Sequence, residues 1–330
     1  MHDDFILFSG TANPHLAARM AQLLERPLGA CTVERFPDGE VNVHLDEPVR
    51  GRDVYLLQSV CPPVDEHLME LLCLADACRR ASVANLTAVV PYFGYARSDK
   101  RNGRRAPVTA SMVALMMQAV GIRHVLTVDL HAQQVEGFFH IPVDCVTAVP
   151  VLCHALRNQL AHDTVVVSPD EGRVKMASEY ARLLGLPVAV LHKHRESGTQ
   201  SKVTHVVGDV RDRPCLIIDD IISTGGTIAE AVAVLLKAGA RPEISVAATH
   251  GLFVGDARAR LNHPAIRTIL VTDTIPFIQQ DWPEVRVLPL AALLAAAIGR
   301  FRAGESIGDL FTHVIHDGRG DEAFGAGVHQ

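Results

Sequence analysis

From residue 5 onward, short apolar runs of strand length alternate with stretches of helical periodicity, and this alternation restricts the fold more than any other feature of the chain. FILFS (5–9) reads as a strand, and a helix follows with Pro14 in its first turn, where a missing N–H costs nothing. DVYLLQ (53–58), LTAVVPY (86–92) and VLTVDL (125–130) read as further strands, with helical patterns over 65–80 and 107–120. The rhythm then repeats. TVVVSPD (164–170) is strand then loop, 173–184 is helix and VAVL (188–191) is strand. CLIIDD (215–220) is strand, 226–238 is helix and EISVAATH (243–250) is strand. Such alternation implies parallel sheets covered by helices. Both halves share it, so the expected fold class is α/β, with two similar domains joined near 145–150, each a mainly parallel sheet flanked by helices. The Gly-rich polar end, GRGDEAFGAGVHQ, reads as a disordered tail.

Bulk properties then exclude some functions. The 330 residues suffice for about two ordinary domains. A formal charge of −6 argues against general nucleic-acid binding and against a surface that coats acidic membranes, while leaving room for a local basic pocket. Seven scattered cysteines include no close metal-type spacing, and buried or free thiols in a reducing cytosol are expected. MHDDFILFSG puts acidic residues before a very short apolar run, unlike a signal peptide. The longest apolar run, 288–299, is too short to span a bilayer and holds a proline. The expected location is cytoplasmic.

LIIDDIISTGGT (216–227) carries the most specific chemistry. Leu216, Ile217 and Ile218 suit a strand buried on both faces, which places Asp219 and Asp220 at its carboxyl end, where open α/β sheets bind ligands. Successive strand side chains face opposite ways, so the two carboxylates need not share a role. Ser223, Thr224 and Thr227 supply hydroxyls, Gly225 and Gly226 allow a tight turn, and the helix that follows presents unsatisfied N–H donors and a positive dipole end. A phosphate suits the turn, while sugar hydroxyls or a metal suit the carboxylates. An ordinary N-capped helix after a strand explains the S-T-G-G-T alone, but not the preceding Asp-Asp.

Five other stretches stand out. RFPDGE (35–40) sets an aromatic beside two carboxylates in a Pro-Gly turn, which also reads as a hairpin turn with a packed Phe. In 90–105, Tyr92, Phe93 and Tyr95 precede Arg97, Lys100, Arg101, Arg104 and Arg105, a set that suits a solvated face or a polyphosphate. Asp129 and His131 share a face if their strand continues that far, which suggests a metal or a proton relay, although magnesium prefers oxygen ligands. VSPDEGRVK (167–175) is a second acidic, Gly-containing loop after a strand. In VLHKHRESGTQ (190–200), alternation puts Lys193 and Arg195 on one face and His192 and His194 on the other, ahead of a Ser-Gly segment. That pattern fits a catalytic strand with a mobile lid or a basic edge strand.

Asp219 to Thr227 resembles the ribose-phosphate loop of the phosphoribosyltransferase fold, and the chain from SGTANPHLA (9–17) to SIGDLF (306–311) resembles the ribose-phosphate pyrophosphokinase family, with several motifs in the same order. The resemblance implies two phosphoribosyltransferase-like domains, residues 1–147 on an ATP side, completed by 300–316, and 148–299 on a ribose 5-phosphate side, with 317–330 as tail. It implies transfer of the β,γ-diphosphoryl group of ATP to O1 of ribose 5-phosphate, giving AMP and 5-phosphoribosyl 1-pyrophosphate. Lys193 and Arg195 would be catalytic. ATP would meet Arg97, Ser98, Asp99 and Lys100 and, from a neighbouring subunit of a homo-oligomer, Phe36, Asp38, Gly39 and Glu40. Ribose 5-phosphate would meet Arg195, Asp219, Asp220 and the 223–227 turn, and Mg2+ would be held by His131, Asp170 and Asp129.

The chain departs from the family pattern in places. Ser98 stands where a glutamine is usual, and Arg173 stands where a second glycine is often found, which fits if only its backbone lines the site. Pro48 and Gly308 replace two serines of phosphate-activated members, while Arg50, Ser82 and Ser306 remain, so weakened or absent phosphate activation is expected. A phosphoribosyltransferase or a catalytically silent regulatory homologue are the rival readings.

Overall fold

The computed structural model describes residues 5–101, 103–197, 200–278 and 281–311, with the side chains of 193–204 and 311 outside the description. Strand β1 (Phe5–Ser9) leads into helix α1 (Pro14–Leu23), whose start is capped by Asn13 accepting from Leu16 N–H at 3.1 Å. An antiparallel hairpin, β2 (Cys31–Arg35) and β3 (Val41–Leu45), turns through RFPDGE. Then come β4 (Asp53–Leu57), α2 (Val64–Arg80), β5 (Asn85–Val90), α3 (Thr109–Ala119), β6 (His124–Val128) and β7 (Val143–Val146). The second half holds α4 (Val149–Arg157), β8 (Val165–Ser168), α5 (Val174–Leu184), β9 (Val188–Ser197), β10 (Gln200–Val207), β11 (Cys215–Ile222), α6 (Gly226–Lys237) and β12 (Ile244–Gly251). It closes with α7 (Ala257–Leu261), β13 (Ile266–Thr272), β14 (Val285–Leu288) and α8 (Ala291–Ala303).

Two main sheets result. The first is all parallel in the order β1-β4-β5-β6-β7. The second runs β10-β9-β8-β11-β12-β13-β14 and is parallel except for the β9–β10 pair. In it the chain leaves β8 towards β9 on one side, and leaves β11 towards β12 on the other. The order therefore reverses between β8 and β11, and this is where loops part and a crevice opens in doubly wound sheets. The acidic Gly-containing loop follows β8, and the Ser-Thr-Gly turn follows β11.

Some boundaries differ from expectation. Strand β11 continues to Ile222, so Asp219 and Asp220 lie inside the strand and not past its end. Strand β6 stops at Val128 because Asp129 takes a φ of 38°, so the two-residue alternation that would pair Asp129 with His131 does not hold. Strand β9 is not an edge, since β10 covers it.

The two halves share one core. Its largest cluster joins Leu16 and Met20 of α1, Leu126 of β6, Leu152 of α4, Tyr180 of α5, Leu216 of β11 and Leu294 of α8. Helix α8 packs on α1, so the chain returns to its first half from Ala291, ahead of residue 300. Polar contacts tighten the same seam. Asn13 Nδ2 donates to Asp273 O at 2.6 Å, and Thr249 Oγ1 donates to Asp129 Oδ2 at 2.6 Å.

Candidate active site

The turn after β11 is built on one backbone feature. Gly225 adopts a φ of 74°, and a Cβ there would meet Leu261 Cγ at 2.9 Å, so neither the conformation nor the space admits a side chain. This sharp turn starts α6 at Gly226 and aims the unpaired N–H groups of its first turn over the crevice. Ile228, Ala231, Val232 and Leu235 bury the opposite face and hold the helix in place. Ser223, Thr224, Gly225, Gly226 and Thr227 line a cleft of about 320 Å³ together with Arg97, His131, Asp170, Arg173, Asp219 and Asp220. Arg260, from α7, approaches Thr224 O at 3.5 Å and adds a cation at the mouth of the turn that the local sequence ARARL does not signal.

The carboxylates sit beneath this turn in an electrostatic cluster. Arg173 Nε lies 3.2 Å from Asp219 Oδ1, and Arg173 Nη2 lies 2.8 Å from Asp220 Oδ1. The same guanidinium donates to His131 O at 3.0 Å and lies 2.8 Å from His131 Nδ1. His131 Nδ1 is also 2.7 Å from Asp220 Oδ2. One ring nitrogen cannot donate to the carboxylate and accept from the guanidinium together, so only one of these two contacts is a hydrogen bond at any moment. Burial, reinforced by the neighbouring Asp220 charge, pushes the Asp219 carboxyl well above its ordinary value. Burial opposes ionisation of Asp220 too, but hydrogen bonds from His131 and Asp219 and the Arg173 charge hold it down at about 2. The expectation that Arg173 offers only backbone is thus corrected. Its side chain, 15% exposed, fills the gap between the two loops.

The other expected residues divide. Arg97, His131 and Asp170 reach the cleft. Asp129 does not; Asp129 Oδ2 accepts from Ala148 N–H at 2.9 Å and from Thr249 Oγ1, which makes it a brace between the halves. His250 adds to that brace, with Nε2 at 3.2 Å from both Val128 O and Asp129 O. Ser98 turns away as well, with Oγ accepting from Thr109 N–H at 3.3 Å at the start of α3, and Asp99 accepts from Gln134. Lys100 is exposed and is not among the cleft residues. Phe36, Asp38, Gly39 and Glu40 form the tip of the β2–β3 hairpin, away from the cleft residues of this chain, with Phe36 50% exposed. Lys193 and Arg195 have their backbone in β9, opposite Val203 and Ser201, while their side chains lie outside the described residues.

Among the described residues, no three His, Cys, Asp or Glu side chains converge as a metal cage. Asp170 in the cleft lining offers carboxylate oxygen to a hard cation that keeps water and phosphate oxygens in its shell, while His131, whose Nδ1 faces Asp220 and Arg173, leaves only Nε2 for it. A larger cavity of about 600 Å³ lies at the amino ends of β4, β5 and β6, lined by Arg123, His124 and Arg302, on the side of the sheet where ligands are not expected.

Comparison with known proteins gives concordant matches. Residues 5–121 match the model described as the N-terminal domain of ribose phosphate pyrophosphokinase, and 197–312 match the phosphoribosyl synthetase-associated domain. A ribose-phosphate pyrophosphokinase of Chromobacterium violaceum is 45% identical over 317 residues, covering 95% of this chain and 97% of the relative. The Haemophilus influenzae protein of the same name is 46% identical over 313 residues, covering 93% and 99%. The crystal structure of phosphoribosylpyrophosphate synthetase from Mycobacterium smegmatis superposes with a TM-score of 0.84 at 39% identity, covering 92% of this chain and all of that one.

Proposed function

The chain belongs to the ribose-phosphate pyrophosphokinase family, and from that membership we propose how its residues divide the work. The enzyme makes 5-phosphoribosyl 1-pyrophosphate from ribose 5-phosphate. ATP is the diphosphoryl donor in this reading, and AMP is the second product. The observation that carries the assignment is the crevice between β8 and β11, where an amide-and-hydroxyl cradle adjoins buried carboxylates that reach across to His131 of the first half.

The 223–227 turn binds the 5-phosphate through N–H groups and hydroxyls, which are preorganised for a tetrahedral anion. Asp219 and Asp220 accept hydrogen bonds from ribose hydroxyls and so fix which face of the sugar presents O1. The Asp170 loop holds the pyrophosphate end. Arg97 steers the triphosphate, and the exposed Phe36 tip supports stacking on the adenine of a neighbouring subunit in a homo-oligomer. Asp170 and His131 would hold Mg2+, which neutralises phosphate charge when bound. Lys193 and Arg195 stabilise the charge that builds on the transferring group, and O1 attacks the β-phosphorus in line with the departing AMP oxygen. Seven free cysteines suit a reducing compartment, which supports a cytoplasmic location for the reaction.

Incubation with MgATP and ribose 5-phosphate, followed by nucleotide separation, tests this directly. AMP is expected, and ADP as the sole product would overturn it. A Lys193→Ala, Arg195→Ala double variant is expected to lose about 10²–10⁴-fold or more in turnover, and near-normal AMP release would refute the catalytic assignment.

A further inference from the structure

The cleft already contains a cation of its own. Both oxygens of Asp220 are engaged, Oδ1 by Arg173 Nη2 at 2.8 Å and Oδ2 by His131 Nδ1 at 2.7 Å. Asp219 Oδ1 serves Arg173 Nε at 3.2 Å and the Asp220 N–H at 2.9 Å. A sugar diol arriving at this pair finds Asp220 covered, its side chain only 2% exposed, with no oxygen within reach. It gains one only if Arg173 or His131 moves. His131 is the more firmly placed of the two, because it stands two residues after Asp129, which is held by Ala148 and Thr249. Arg173 stands at the end of a single 3-10 turn, Glu171–Arg173, and shares the His131 nitrogen with Asp220 in two mutually exclusive contacts.

We propose that Arg173 is an affinity-determining residue, a built-in counter-ion that closes the carboxylate pair in the empty enzyme and that ribose 5-phosphate must displace. The proposal rests on the reading that Asp219 to Thr227 takes ribose 5-phosphate. Its physical basis is the difference between two states. With the cleft empty, the guanidinium neutralises a buried negative site that would otherwise be costly to maintain. With the sugar bound, two hydroxyls replace the guanidinium as donors, and Arg173 returns to water. A ligand that binds only the open state has its apparent affinity reduced by the fraction of molecules that are open.

The test is calorimetric titration of the full chain, without nucleotide, with ribose 5-phosphate and separately with inorganic phosphate. The parent is compared with Arg173→Gly and Arg173→Lys. The glycine variant is expected to bind ribose 5-phosphate about tenfold tighter if the closed state holds nine molecules in ten. Inorganic phosphate, which needs the cradle and not the carboxylates, should bind all three proteins alike. The lysine variant should fall between, because a point ammonium cannot span two carboxylates and a carbonyl as a planar fork does; it also carries the test should the glycine variant fail to fold. Equal or weaker ribose 5-phosphate binding in the folded variants would overturn the proposal alone. A parent that binds no ribose 5-phosphate would overturn the functional reading, and the proposal with it.

Discussion

Asp273 accepts the Leu290 N–H at 2.8 Å just ahead of α8, and burial of its carboxyl pushes it from the ordinary 3.8 up to about 6. The folded state therefore holds a proton on Asp273 that the unfolded chain has released between about pH 4 and pH 6. Its contribution to stability is fully present below the ordinary value and is lost as pH rises through about 6. Asp273→Asn keeps the acceptor oxygen and removes the titration. The variant should gain on the parent by on the order of 1–2 kcal/mol between pH 4 and pH 7, a figure reduced because the residue is partly open to solvent. Urea unfolding of both proteins at the two pH values checks it; parallel stability curves would contradict it. The acidic pair Asp219 and Asp220 and the hydroxyl turn were legible in the sequence as neighbours in one cleft, because residue type and order alone set carboxylates and a glycine turn at the carboxyl end of an apolar strand. The part played by Arg173 was not. A loop arginine has no preferred direction until strand β11 and the loop after β6 bring four acceptors within its reach.

The β11–α6 unit was legible as an element. Its apolar run, glycine turn and helical stripe are all local signals, and the structure lengthens the strand only to Ile222. Gly225 is the hinge of that unit. Gly225→Ala forces a side chain into a left-handed conformation and against Leu261, at an expected cost of about 1–2 kcal/mol. It should also weaken ribose 5-phosphate binding, since the α6 amides would shift with the turn. Thermal unfolding and titration of the same variant measure the two effects, and an unchanged affinity would argue that the turn does not hold the phosphate. Other elements were not assigned in advance. Strand β10 alternates too weakly to stand apart from a Ser-Gly segment, yet it completes the sheet beside β9. Helix α8, AALLAAAIGRFRA, lacks a clean polar face because it is covered by both halves at once, and a buried helix loses the periodicity by which a sequence declares it.

At the scale of the whole molecule, a core cluster shared by the two halves packs them together, and the brace of Asp129, Thr249 and His250 ties the end of β6 to β12. Pro48 and Gly308 fall far from this brace in sequence, and the family resemblance sets them where phosphate-activated members would carry serines. A flat dependence of rate on inorganic phosphate is expected, and a steep rise in a steady-state assay would contradict it. No helix among the described residues is long and apolar enough to cross a membrane. The sequence by itself determined the parallel α/β class, the acidic loop after β8 and the strand, glycine turn and helix of the 216–237 stretch, since these follow from short-range patterning of apolar, acidic and glycine residues. Only the tertiary structure decided that Asp129 braces the halves while His131 faces the cleft, that Ser98 caps a helix, and that Arg173 lies across the carboxylates. The contacts of His131 and Arg173 in the cleft depend on the end of β6 packing over the crevice between β8 and β11, which brings together groups 42 to 89 residues apart in the chain.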